Sequence, residues 1–173
     1  MLRQNKYLRF EAVSYALTYA LNPNPKYRYF QLIDDNGGDC TNFISQCLFA
    51  GGAKMSYGSS WNWWYNNKNT NNVMDDTWSI SWAVAHSLYY YLRNNEETNS
   101  PYIKGLEVSN ANNLELGDLI FYEGNNKKIF HSTIVTSIFN GVPLVSQHTP
   151  EAINIYYKNS WKAVKYHYIK III

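Results

Sequence analysis

The period of the hydrophobic pattern changes once along this chain, and that change limits the folds open to it. Up to about residue 93, outside an aromatic loop before Cys40 and a polar, aromatic-studded loop at 56–77, the apolar residues recur at three- and four-residue steps, the spacing of amphipathic helices. After the turn-rich NNEETNSP at 94–101 the pattern becomes strand-like. GDLIFYE and KIFHSTIVTSIF are β-branched and aromatic, Asn140-Gly141 is a strong hairpin signal, and VPLVSQHT and the final AVKYHYIKIII follow. Helices first and antiparallel strands later predict an α+β domain, with N-terminal helices packed on a C-terminal sheet. There is no internal repeat and no linker, and 173 residues suffice for a single domain over 1–173 with a real core.

The first predicted helix runs from about Asn5 to Leu21, with Phe10, Val13, Leu17, Ala20 and Leu21 as its apolar positions. NPNP at 22–25 ends it, because the residue before a proline is pushed out of the helical region. A second helix reads from Cys40 to Ala50, with Asp39 as N-cap, Phe43, Ile44, Cys47 and Leu48 as apolar stripe, and Gly51-Gly52 as terminator. A third reads from Ser79 to Arg93, burying Trp82, Ala85, Leu88, Tyr89 and Leu92. If exposed, the terminal IKIII would be an adhesive edge, so the fold or a neighbour is expected to cover it.

Charge excludes several functions. The net charge is +2 and the basic residues are scattered, so no nucleic-acid stripe is present. No run reaches the ~18 apolar residues of a membrane span. The segment MLRQNKYLRFEAVSYALTYALN carries charges throughout, unlike a signal peptide. The expectation is a cytosolic protein, or a domain of a longer chain exported to the cell envelope. Oligomeric state is left open. Aromatic residues reach 17%, a surplus that fills cores and also suits stacking on sugars or peptide groups.

The stretch NGGDCTNFISQCLFAGG at 36–52 puts a cysteine at the start of a helix. There a thiolate is stabilised by the helix dipole and the free N–H groups, which can also hold an oxyanion. Gly37-Gly38 lets the backbone turn tightly before Cys40, and Asp39 reads as a cap whose oxygen is occupied by helix N–H groups. Cys47 lies two turns on, roughly 10 Å from Cys40 at ~1.5 Å per residue. That exceeds the ~7 Å reach of a disulfide, so both are expected to be free thiols.

A nucleophilic cysteine needs a base. His86 sits inside the third helix and reads as an ordinary helix residue, and His167 has no evident partner. His131 and His148 are related by the hairpin. With a two-residue turn at Asn140-Gly141, His148 pairs with Thr133, and His131 is its diagonal neighbour at roughly 7–8 Å. Gln147 then faces the other way, and a bulge or one-residue slip would reverse the choice. No metal or other cofactor is implied, since the histidines lack a third ligand at metal spacing and no C-x-x-C pair occurs. WNWWYNN is expected to border the cleft, with Trp61, Trp63, Trp64 and Trp82 as substrate-binding candidates.

GGDCTNFISQCLFAGG, the SW at 81–82, LELGDLIFY, HSTIV and LVSQHT together resemble the bacterial family of putative amidase domains, and AVSYALTYALNPNPKY fits the same pattern. More distantly, the DC at a helix start with GDLIFY and a strand histidine is similar to NlpC-type and CHAP-type cell-wall hydrolases. The resemblance implies a papain-like fold, Cys40 as nucleophile, His131 as base and a third polar residue orienting the imidazole, for which His148 is the matching candidate. It implies acyl transfer through a thioester, with peptidoglycan or a peptide amide as substrate. Two rivals remain: transfer of the acyl group to an amine rather than water, and a non-catalytic wall-binding module.

Overall fold

In a computed structural model, residues 6–33, 36–58 and 61–173 are described. Four helices occur among them: α1 (Arg9–Tyr19), α2 (Cys40–Ala50), α3 (Ile80–Ala83) and α4 (Ala85–Glu97). The later strands are β1 (Lys104–Val108), β2 (Leu119–Glu123), β3 (Ile129–Phe139), β4 (Val142–Gln147), β5 (Ala152–Tyr156) and β6 (Lys165–Ile172). They form one six-stranded antiparallel sheet in the order β1-β6-β2-β3-β4-β5. The domain is α+β, as the pattern predicts. β1 and β5, the two edge strands, are additions to that reading.

Alternation along the strands divides the core. Leu119, Phe121, Ile134, Ile169 and Ile171 face the helices, whereas Ile120, Tyr122, Val135 and Val145 meet Ala111, Leu114 and Tyr157 on the opposite side. The isoleucine-rich terminus is covered by the fold, because β6 lies between β1 and β2.

Helix α2 is buried from Cys40 to Leu48 on every side, not along one stripe alone. Its polar residues are satisfied internally, as burial demands. Thr41 shares a hydroxyl hydrogen bond with Ser132 at 3.0 Å, Asn42 Nδ2 donates to the Arg28 carbonyl at 2.8 Å, and Ser45 Oγ donates to the Trp82 carbonyl at 2.8 Å. Gln46 accepts from the Tyr15 hydroxyl at 2.7 Å.

Helix α1 turns a different face inward from the one its large residues predict. Ala12, Val13, Ala16 and Ala20 are buried, while Phe10, Leu17 and Leu21 are 79%, 38% and 53% exposed. Three alanines at four-residue steps, Ala12, Ala16 and Ala20, form the inward face, and small side chains there let α1 approach α2 closely. The third helix keeps its predicted buried residues but breaks in two at Val84 (φ −117°, ψ 121°).

The hairpin turns at Asn140 and Gly141, both with positive φ (49° and 77°), as a type I′ turn requires. Phe139 pairs with Val142 and Ser137 with Leu144, but Val135 then pairs with Val145 and Ile134 with Ser146. Thr136 is the extra residue of a β-bulge. Its hydroxyl donates to Asn154 Oδ1 at 2.8 Å and bonds Ser146 Oγ at 2.7 Å, which ties the bulge to the neighbouring strand β5.

Candidate active site

Cys40 opens α2, 5% exposed, and lines a cleft of about 270 Å³ with His131, Phe130, Trp161, Gly37, Leu32 and Thr149. The approach to the helix is shaped by glycine. Gly38 has φ +94°, and a Cβ there would meet Thr149 Cγ2 at 2.8 Å, so a larger residue would strain the backbone and displace Thr149.

Asp39 departs from its predicted role. With φ −98° and ψ 2° it makes no side-chain cap bond to the helix. Its carboxylate instead accepts from the Phe30 N–H at 2.9 Å and Asn42 Nδ2 at 2.8 Å, and pairs with His148 Nδ1 at 2.5 Å. Both partners of that pair are 1% exposed. Its own N–H donates to Thr149 Oγ1 at 2.8 Å.

The third position beside the imidazole is also corrected. Beyond the bulge at Thr136 the register is one residue short of the regular hairpin, so Gln147, not His148, lies on the face of His131. His131 Nε2 is 3.1 Å from Gln147 Oε1. Both ring nitrogens of His148 are engaged elsewhere, Nδ1 by Asp39 and Nε2 by the Tyr19 carbonyl at 2.8 Å, and its ring stacks on Phe43 at 4.1 Å. The sequence signal for Gln147 was present in the hairpin arithmetic, one slip away.

Gln147 is held in one orientation. Its Nε2 donates to the Pro150 carbonyl at 2.9 Å, and Ser160 Oγ donates to its Oε1 at 2.5 Å. The oxygen must therefore face His131, which places the ring proton on Nε2 and leaves Nδ1 for the thiol. Tyr122 meets the imidazole edge-on at 5.1 Å, and Trp161, anchored by its indole N–H to the Thr149 carbonyl at 2.9 Å, covers the outer side.

Burial by itself would raise the Cys40 thiol. The charge of His131 and a hydrogen bond to it, with help from Thr41 and the Ser132 backbone, outweigh that and lower it from 9.0 to about 7. Cys47, at the centre of the core, is pushed well above its ordinary value by burial. Neither cysteine forms a disulfide.

The four tryptophans expected beside the thiol lie elsewhere. Trp63 and Trp82 are 0% exposed and meet in a tilted pair at 4.9 Å within the core, so no substrate reaches them. Trp61 and Trp64 border a second hollow that shares no described lining residue with the Cys40 cleft. The aromatic walls at the thiol are Phe130 and Trp161, which sequence reasoning missed because the loop carrying Trp161 follows β5, far along the chain from Cys40. His167 has partners after all, Glu107 of β1 at 2.7 Å and Glu123 of β2 at 2.9 Å, one from each strand flanking β6. Among the described residues, no group of three or more His, Cys, Asp or Glu side chains is placed to hold a metal ion. Nor is any helix there long and apolar enough to cross a membrane.

A helix-start thiol, an imidazole and an oriented amide, gathered on an α+β scaffold, are the parts that nucleophilic acyl-transfer chemistry uses. The pattern of the family described as Putative amidase domain matches residues 6–172, and the chain belongs to that family. It is similar to two proteins of Bacillus subtilis (strain 168). It is 39% identical to "Uncharacterized protein YhbB" over 153 residues, covering 85% of this chain and 43% of that protein. It is 30% identical to "Uncharacterized protein YjcM" over 158 residues, covering 86% of this chain and 32% of that protein. The chain thus spans less than half the length of these relatives. No solved structure matches it.

Proposed function

We propose that this domain is a cysteine-dependent amide or peptide-bond hydrolase, with Cys40 as nucleophile, His131 as general base and acid, and Gln147 orienting the imidazole. The observation that carries the reading is a cysteine at the start of α2 that shares one cleft with a histidine whose far nitrogen is fixed by an amide oxygen, a setting that lowers the thiol to about 7. A helix-borne cysteine facing a strand histidine with an amide behind it, in the chain order Cys, His, Gln, supports a papain-like reading of the site.

The Cys40 thiolate attacks the amide carbonyl, and the oxygen of the tetrahedral intermediate is held by N–H groups at the start of α2, that of Cys40 among them. His131 protonates the leaving amine as the C–N bond breaks, giving a thioester. It then takes a proton from water, which cleaves the thioester and frees the acid and the thiol. The cleft is walled by Phe130 and Trp161, and an adjoining hollow of about 510 Å³ carries Glu151 and Tyr29. Flat apolar walls beside a carboxylate favour a peptide with an amine-bearing flank, a class that includes peptidoglycan stem peptides.

The test is the rate of Cys40 alkylation by iodoacetamide as a function of pH in a Cys47→Ser background. The expected profile has its midpoint near pH 7 and is slowed by His131→Ala. A midpoint at the ordinary thiol value, indifferent to His131, overturns the assignment. Incubation with peptidoglycan fragments and peptide amides, followed by mass spectrometry with and without an added amine, then separates hydrolysis from acyl transfer.

A further inference from the structure

The second aromatic hollow shares no described lining residue with the Cys40 cleft. We propose that it is a binding site for a neutral oligosaccharide. It encloses about 600 Å³, within the range of small-ligand sites, between the loop carrying Trp61 and Trp64 and the first turns of α3 and α4.

Its rings are braced before any ligand arrives. Trp64 stacks on Tyr57 at 5.9 Å, Trp78 is met edge-on by Phe30 at 4.7 Å, and Tyr90 is met edge-on by His86 at 4.8 Å. Trp61 and Tyr90, each 46% exposed, offer open faces on the hollow. The C–H face of a pyranose packs on such surfaces, and preset rings lose little freedom on binding.

Hydrogen-bond donors point to the same ligand. Elsewhere in the chain the indole N–H groups are committed: Trp63 to Ser45, Trp82 to Asn42 and Trp161 to the Thr149 carbonyl. Those of Trp61, Trp64 and Trp78 have no protein partner among the described residues, and none is a buried orphan. His86 Nδ1 accepts the Ile129 N–H at 3.2 Å, so the neutral ring carries its proton on Nε2. With Asn62, Ser81 and Ser87 of the same lining, these groups make a neutral set of donors and acceptors, which suits hydroxyl, ring and acetamido groups. None of the described lining residues is Asp, Glu, Lys or Arg, so neither an anionic nor a cationic ligand finds a counter-charge there.

The inference stands apart from the catalytic reading, and its test uses the whole chain carrying Cys40→Ser. Triacetylchitotriose and cellotriose are titrated by calorimetry and tryptophan fluorescence. Saturable binding of either sugar at millimolar concentration is expected. Trp61→Ala and Tyr90→Ala, both at exposed positions, each weaken it about tenfold, and Trp61→Phe restores most of the loss. Phe130→Ala, in the Cys40 cleft, leaves it unchanged, and a trigalacturonate control binds at least about tenfold more weakly. Absence of saturation with both neutral sugars, binding indifferent to Trp61 and Tyr90, or binding lost with Phe130→Ala overturns the proposal.

Discussion

Cys40 and Cys47 lie on one helix, two turns apart, and both are out of solvent, yet their thiols are driven in opposite directions. Burial disfavours a thiolate at both. At Cys47 the surroundings are apolar, its own backbone is the one opposing influence, and the thiol rises well above its ordinary value. At Cys40 burial pulls the same way, but His131 on β3 overrides it. What separates the two cysteines is therefore a partner supplied by another element. The helix start alone does not make a reactive thiol.

The hardest test of this contrast is to remove each sulfur in turn. On the proposed mechanism, Cys40→Ala lowers turnover of a peptide amide by about 10⁴-fold or more, while Cys47→Ala leaves turnover unchanged. Activity surviving in Cys40→Ala would break the comparison outright. The next largest effect is expected from His131→Ala. The Cys40 thiolate is populated above pH 7 and lost as pH falls through about 7. Without His131, only Thr41 and the Ser132 backbone oppose burial, and the thiol rises back toward its ordinary value of 9.0. At pH 7 the thiolate fraction then drops from about half toward about one in a hundred, and iodoacetamide labelling slows by up to about fiftyfold. A rate that scarcely changes means the environment of Cys40 is no different in kind from that of Cys47.

Gln147 and His148, adjacent in sequence, sharpen the comparison further. Gln147→Ala is expected to lower kcat by about tenfold or more, as the imidazole loses its orienting oxygen, and to cost about 1–3 kcal/mol of stability, as the Pro150 carbonyl and Ser160 lose a buried partner. His148→Ala leaves the Asp39 carboxylate buried without its ring partner. It should cost about 3 kcal/mol or more and lower the melting temperature by about 6–12 °C. If His148→Ala slowed catalysis without loss of stability, the assignment would return to His148. The smallest effect belongs to Cys47→Ala, about 1 kcal/mol for a small cavity, read as a midpoint shift of about 2–4 °C in a thermal melt.

Much of the architecture was legible because local chemistry and tertiary packing agree. The start of α2 at Cys40, its stop at Gly51-Gly52, the Asn140-Gly141 turn and the buried face of α4 all follow from spacing and turn residues. The reading failed where two faces of one element were both apolar enough to be buried. In α1 the larger residues lost to an alanine ladder, because closeness of approach to α2 mattered more than side-chain area. In WNWWYNN, stacking competence is the same for every indole, and only the route of the loop sends Trp63 inward and Trp61 and Trp64 to a separate hollow.

The sequence by itself determined the α+β order, the cysteine at a helix start, the strand histidine and the hairpin that joins β3 to β4. Those features depend on residues close together in the chain. The tertiary structure alone decided that Gln147 rather than His148 faces His131. That choice turns on a bulge at Thr136, held by Ser146 and by Asn154 of the next strand. A bulge inserts one residue without altering the apolar pattern around it, so its bonds to Ser146 and to Asn154 of β5, not that pattern, select the side chain behind the imidazole.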